Sequence, residues 1–129
     1  MENTDSIEKL ADAWLAYESD GRDTQTRDQH FWAWQQVAWY MSNAPDAAWQ
    51  FIQEVYRRSM SERQELMFAC GPLEDFVHFH AVEYIDQIEA LGKAEPKFAE
   101  LLGGVWYRDT VPQSIWERIE TLRGEPWGP

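Results

Sequence analysis

The residues of this chain best equipped for chemistry lie within ten positions of one another: Glu74, Asp75, His78, His80 and Glu83. Carboxylates and imidazoles at such range could hold a divalent metal or supply an acid–base pair, so a metal-dependent enzyme is one reading of the cluster. The spacing works against it. On a helix His78 and His80 point about 200° apart, whereas a zinc-binding helix places two ligands four residues apart on one face. His80 with Glu83, or Asp75 with Phe79 and Glu83, share a face better. A plainer role is available to each residue. Pro72 at a first helical position would put Glu74 and Asp75 in the first turn, where carboxylates favour the positive end of the helix and its free N–H groups. His80 can be satisfied by a carbonyl or carboxylate near the core. Cys70, the one cysteine, has no His at a nucleophile motif and reads as a small buried apolar residue. No Ser or Thr sits in a nucleophile elbow, and Gly103-Gly104 lacks the Lys or Ser/Thr of a phosphate loop and reads as a turn. No catalytic set, metal or cofactor is expected.

Charge is more informative. The chain has 129 residues with 23 acidic and 11 basic side chains, a formal net charge of −12. Such a surplus repels nucleic-acid phosphate and anionic lipid, so direct binding to either is disfavoured. From Gln64 to Gly92 there are six acids, Glu65, Glu74, Asp75, Glu83, Asp86 and Glu89, with no Lys or Arg between them. Glu83, Asp86 and Glu89 follow at three-residue steps and can form one stripe. A second group, Glu2, Asp5, Glu8 and Asp12, faces Lys9 alone. The bland reading is a solvated face; the sharper one is a docking surface for a basic partner, since unbalanced like charge is relieved by a cationic counterpart. Tyr84, Trp32 and Trp39 are then the candidate anchors at its edge, against the alternative that they pack in the core.

The elements that must position these groups are helical. Hydrophobic residues make up 44% and aromatics 15%, with eight Trp, which is enough apolar mass to exclude intrinsic disorder. Ile7, Leu10, Ala11, Trp14 and Leu15 recur at helical intervals over Asp5 to Ser19, with Asp5 and Glu8 as a capping box and Gly21 just beyond the end. Thr26 with Gln29 predicts the start of a second helix reaching about Met41, whose Phe31, Trp32, Trp34, Trp39 and Tyr40 cover more than one face. Pro45 opens a third, with Ala48, Ile52, Val55 and Tyr56 inward. Ser61 and Gln64 form a further capping pair, opening a short helix that stops near Gly71, and Pro72 restarts the chain. Next come Phe76, Phe79, Val82, Ile85 or Tyr84, Ile88 and Leu91 at helical spacing, with a bend near His80. Pro96 begins a short helix with Phe98, Leu101 and Leu102. Pro112 begins the last, with Ile115, Trp116, Ile119 and Leu122 inward and Gly124 after it. The tail EPWGP should fray, with Trp127 docked back or exposed.

No run alternates with period two, so the expected fold is all-α. It is read as one compact domain over 1–129, with its core at about 5–123 and a tail at 124–129. Six to eight short helices would stack as antiparallel pairs, in a bundle or a short helical-repeat arrangement. One cysteine, no signal-like N-terminus and no run of about 20 apolar residues make a cytoplasmic protein without a membrane span the default.

Six segments, DAWLAY (12–17), FWAW (31–34), AWQFI (48–52), GPLED (71–75), YIDQIE (84–89) and PKFAELLGGVW (96–106), resemble in order and spacing a bacterial family of small helical proteins catalogued as domain of unknown function 6869. The resemblance implies a helical fold and a bacterial origin, and no catalytic residues. Ala81 stands after His80 where that family commonly has Gly, which argues against a sharp break there.

The function expected from these features is capture of a basic protein partner, most concretely by an immunity protein covering the cationic cleft of a toxin domain, with Glu74, Asp75, Glu83, Tyr84, Asp86, Glu89, Trp32 and Trp39 as contacts. The same physics suits a phage-type inhibitor that mimics nucleic acid. The metal-dependent enzyme and a scaffold that forms homodimers through its Trp-rich face are the readings of other classes.

Overall fold

In the computed structural model, which describes residues 4–128 and side chains from Ile7 onward, every regular element among the described residues is helical. The chain sorts into two compact units, residues 1–67 and 68–129. Asp5 and Glu2, part of the expected N-terminal cap and acidic group, lie outside the described side chains.

The first unit contains α1 (Thr4–Tyr17), α2 (Thr24–Asn43) and α3 (Pro45–Tyr56), and closes with α4 (Glu62–Phe68). α1 packs against both α2 and α3. Of its predicted stripe Ile7, Leu10, Ala11 and Trp14 are buried and Leu15 is half-buried, with Ala13 buried in addition, and Trp14 meets Phe51 of α3 edge-on at 6.1 Å. Gly21, at φ 63°, takes the left-handed turn after α1. α2 starts at Thr24, two residues before the expected Thr26, because Asp23 caps it by accepting the Thr26 N–H at 2.7 Å. The Ser61–Gln64 pair is a reciprocal capping box: the Gln64 N–H donates to Ser61 Oγ at 3.1 Å and the Ser61 N–H to Gln64 Oε1 at 2.9 Å. Gln64 Nε2 also donates to the Leu15 carbonyl at 2.9 Å, tying the start of α4 to α1.

In the second unit a π-helical segment, Ala69–Leu73, leads directly into α5 (Glu74–Ala94); α6 (Pro96–Leu101), a 3₁₀ turn (Leu102–Gly104) and α7 (Gln113–Arg123) follow. The expected break at Gly71-Pro72 is absent. A π turn is wider than an α turn, which relieves the clash a proline ring makes with the preceding carbonyl. One consequence is that Cys70, expected to be buried, is exposed; its Sγ lies 3.5 Å from the Gly104 carbonyl oxygen. α5 runs through His80 without interruption.

The inward side of α5 also differs from expectation. Phe76, Ile85 and Ile88 are buried as predicted, together with Val77, Ala81 and Gly92, but Phe79 and Val82 are exposed. Small residues define the packed side here: a methyl group on Gly92 would lie 2.6 Å from Leu122 Cδ2 of α7, so the helices approach as closely as they do because the site is bare. On α7 the buried residues are Trp116 and Ile119, with Ile115 and Leu122 half-buried, and Pro112 is the residue before the helix instead of its first.

The tail docks. The Trp127 N–H donates to the Gly103 carbonyl at 2.8 Å, and its indole lies over the glycine pair. A Cβ on Gly103 would come within 2.7 Å of Trp127 Cδ1, and one on Gly104 within 2.7 Å of Trp127 Cε3 and 2.8 Å of Ala69 Cβ. The pair is therefore a seat for an indole as well as a turn. Gly103→Ala is expected to cost about 1–3 kcal/mol in urea unfolding by overpacking this seat. Most of that cost should vanish when Trp127→Ala is made in the same chain, a non-additivity that a double-mutant cycle measures.

Candidate functional site

The carboxylates singled out in the sequence sit on α5, where two arginines of the same unit meet them. Arg108 Nη2 reaches Glu74 Oε2 at 2.7 Å and Asp75 Oδ1 at 3.1 Å. Glu74 Oε1 also accepts the Trp106 backbone N–H at 3.0 Å. Glu74 and Asp75 are the first residues of α5, but α4, the π segment and α5 follow without a break, so no free helix end favours the two acids as the sequence suggests; they clamp the chain that leads to α7. Arg118 of α7 forks between Asp86 and Glu89, with Nη2 at 2.8 Å from a carboxylate oxygen of each. The hydrogen bond from Arg118 holds the Glu89 carboxyl below its usual range, and Arg118 is itself driven further toward the charged form by both acids. Asp75 shifts the other way: burial raises it and Arg108 only partly offsets this.

The stripe is thus balanced in good part by cations that are remote in sequence. The clamp residues are only part-exposed where it matters most, Glu74 least of all, so its pairing is worth more than a surface salt bridge. Glu83 is exposed on α5 with no ion-pair partner among the described residues. Tyr84 is half-buried with its ring edge-on to Phe76 at 5.1 Å, which makes it a packing residue and not a free anchor. Trp32 and Trp39 are exposed, but they belong to α2 of the first unit, whereas these carboxylates belong to the second.

The arrangement offers little to a metal. Glu74 and Asp75 are spent on Arg108, His78 Nδ1 shares a 2.6 Å hydrogen bond with Thr110 Oγ1, and His80 lies against the rings of Phe76 and Phe79 at 5.5 and 6.1 Å. Among the described residues no three His, Cys, Asp or Glu side chains converge as a ligand set. Desolvation by the atoms packed about its sulfur, and then the Glu74 carboxylate, raise the thiol of the otherwise exposed Cys70, the opposite of what a nucleophile needs.

Two features escape a linear reading. Arg108 and Arg118 lie 29 or more residues beyond the acids they neutralise, so no local window shows the balance. The outer face of α7 adds Glu117 and Glu120, exposed and without an ion-pair partner among the described residues; their three-residue spacing in the sequence was the available signal. A shallow cleft of about 400 Å³ beside them is walled by Trp106, Tyr107, Trp116 and Trp127, with Trp106 70% exposed.

The first unit uses its acids in the same way. Glu54, almost wholly buried, is held by Arg57 and Arg58 and is displaced below the usual carboxylate range, first by the Arg58 hydrogen bond; Arg58 also reaches Asp12 at 2.9 Å. Glu18, also buried, is raised by desolvation against the pull of Arg22 and Arg63. Residues 1–67 hold twelve acids and six bases and residues 68–129 eleven and five, so each unit carries −6. The surplus is shared evenly between the units.

A model of a family of unknown function (DUF6869) matches residues 20–126, and the chain belongs to that family. No curated protein and no solved structure matches it. No helix among the described residues is long and apolar enough to cross a membrane.

Arg108→Gln should lower stability at pH 7 by about 1 kcal/mol, discounted for the part-exposed pair. It would leave Asp75 raised by burial and by the Glu74 charge, with only His78 acting against them. A folded carboxyl raised above its unfolded value of 3.8 makes the folded state the tighter proton binder. The variant should therefore regain stability as pH falls from neutral toward that value, while the parent shows less gain. Chemical unfolding of both chains at pH 7 and pH 5 checks the sign.

Proposed function

We propose that this chain, as a member of the DUF6869 family, is a binding protein that captures a basic protein partner through the exposed acidic faces of α5 and α7. In its concrete form it is a bacterial, cytoplasmic immunity protein that covers the cationic cleft of a toxin domain. The observation that carries this reading is a shortage of cations. All five basic residues of the second unit are already engaged: Lys93 with Glu89, Lys97 with Glu100, Arg108 and Arg118 with their carboxylate pairs, and Arg123 with the Val105 carbonyl and the face of Trp116. Glu83, Glu117 and Glu120 have no counterion among the described residues. Surplus exposed charge of one sign raises the rate at which an oppositely charged partner arrives and rejects anionic competitors.

Exposed apolar groups supply what charge does not. Phe79 and Val82 flank Glu83 on α5, and Trp106 and Tyr107 stand near Glu120 at the α7 cleft. Aromatic side chains ringed by polar groups are the usual carriers of binding energy in such contacts. The role of Asp86 and Glu89 in this reading is secondary, because Arg118 already holds them and reversing them would break an internal contact.

The test is affinity capture from the native host with the intact chain and with Glu83→Lys, Glu117→Lys and Glu120→Lys combined. A basic partner should be recovered by the parent chain. The triple variant should bind it about tenfold or more weakly at low salt, with a shallower salt dependence and unchanged helical content. Equal binding by the two chains, or recovery of an acidic partner, would refute the reading.

A further inference from the structure

α2 buries Ala33, Val37, Tyr40 and Met41 and turns its other side outward. On that outer side Trp32 and Trp39 are 51% and 55% exposed. Seven residues apart, they share nearly one angular position and are separated by about 10.5 Å along the axis. Gln35 and Gln36, both exposed, lie between them, and no residue from Gln29 to Pro45 carries a formal charge with His30 neutral. Phe31 and Trp34 form a separate cluster: they stack on each other at 5.6 Å, and Phe31 leans on Tyr17 at 6.1 Å.

We propose that this outer face of α2 is a homodimer seam on which a second copy of the chain lies antiparallel to the first. A two-fold interface must be complementary to itself, and three properties of the face make it so. The midpoint between Trp32 and Trp39 falls between Gln35 and Gln36. A dyad there sets Trp32 of one copy opposite Trp39 of the other, and Gln35 opposite Gln36. Glutamine amides both donate and accept, so like can bond to like across the axis, and indoles pair well in offset or edge-on geometry. Asp28, the nearest charge before the face, falls opposite Asn43 and not opposite a second carboxylate. Two chains of −12 repel elsewhere, and this neutral stretch lets them meet without that penalty. A basic partner gains nothing from a neutral face. A helix that lies on membranes needs a polar face rich in basic residues, and the nearest charges to this face are Asp28, with Arg27 paired to it at 3.7 Å, and Asp46. A seam of one helix with two Trp per copy sits at the small end of specific interfaces, below about 1,200 Å² in total, so the dimer should dissociate on dilution.

The test is sedimentation of the intact chain from micromolar to millimolar concentration. Mass should rise toward that of two chains and stop there. Trp32→Glu and Trp39→Glu should each weaken association about tenfold or more with helicity retained; Trp39→Gln replaces Trp39→Glu if the latter alters the fold. The register has its own readout. In a Cys70→Ser background, Gln36→Cys beside the dyad should oxidise to a disulfide-linked dimer, whereas Ser42→Cys should not, because it faces Gln29 of the other copy. A monomer throughout the range, growth beyond two chains, association indifferent to both tryptophans, a cross-link at Ser42 in place of Gln36, or a monomer that binds neutral phospholipid vesicles through these tryptophans would each overturn the proposal.

Discussion

A helix rich in carboxylates can pack against its neighbours only if cations arrive from elsewhere, and the second unit is organised around that requirement. Arg108 reaches back to the first turn of α5, and Arg118 reaches across from α7 to its middle. Each guanidinium bridges two acids, which suits a planar group with several N–H donors better than a lysine ammonium. These contacts fix where the chain after the 3₁₀ turn runs and how α7 lies along α5. The first unit repeats the logic with Arg58, which joins Glu54 of α3 to Asp12 of α1.

Having met their own needs in this way, the arginines leave a defined remainder. Glu83, Glu117 and Glu120 are outward with no ion pair among the described residues, whereas Glu74, Asp75, Asp86 and Glu89 are already part of the scaffold. The distinction matters for any partner. Charge that already serves an internal ion pair changes little when a cation approaches, while charge that has none is relieved by it. In the proposed reading, binding and folding draw on different acids of α5 and α7.

Close approach is the second organising constraint. Gly92 lets Leu122 of α7 sit against the α5 backbone, and Gly103-Gly104 receives the Trp127 indole. In both places the absence of a side chain decides the packing. Large apolar residues such as Phe79 and Val82 are then displaced to the surface, where they join the acids around Glu83.

Helix content, most helix ends and the capping chemistry of Ser61 and Gln64 were legible in the residue order, because helical periodicity and caps depend on neighbours three or four positions away. So were the surplus of acid and the family to which the chain belongs. The inward side of α5 was not legible, since Phe79 and Val82 compete with Val77 and Ala81 for the same periodicity, and only tertiary packing decides which pair is buried. The continuous path through Gly71-Pro72 needed a π turn that no local preference announces. Pairing of the carboxylates was hidden for a related reason: Arg108 and Arg118 lie beyond any local window, and Coulomb attraction depends on distance in space. Sequence by itself determined that the chain is helical and acidic. Only tertiary structure decided which acids are spent on ion pairs within the fold and which are left exposed, because that depends on which cations the packing brings near them.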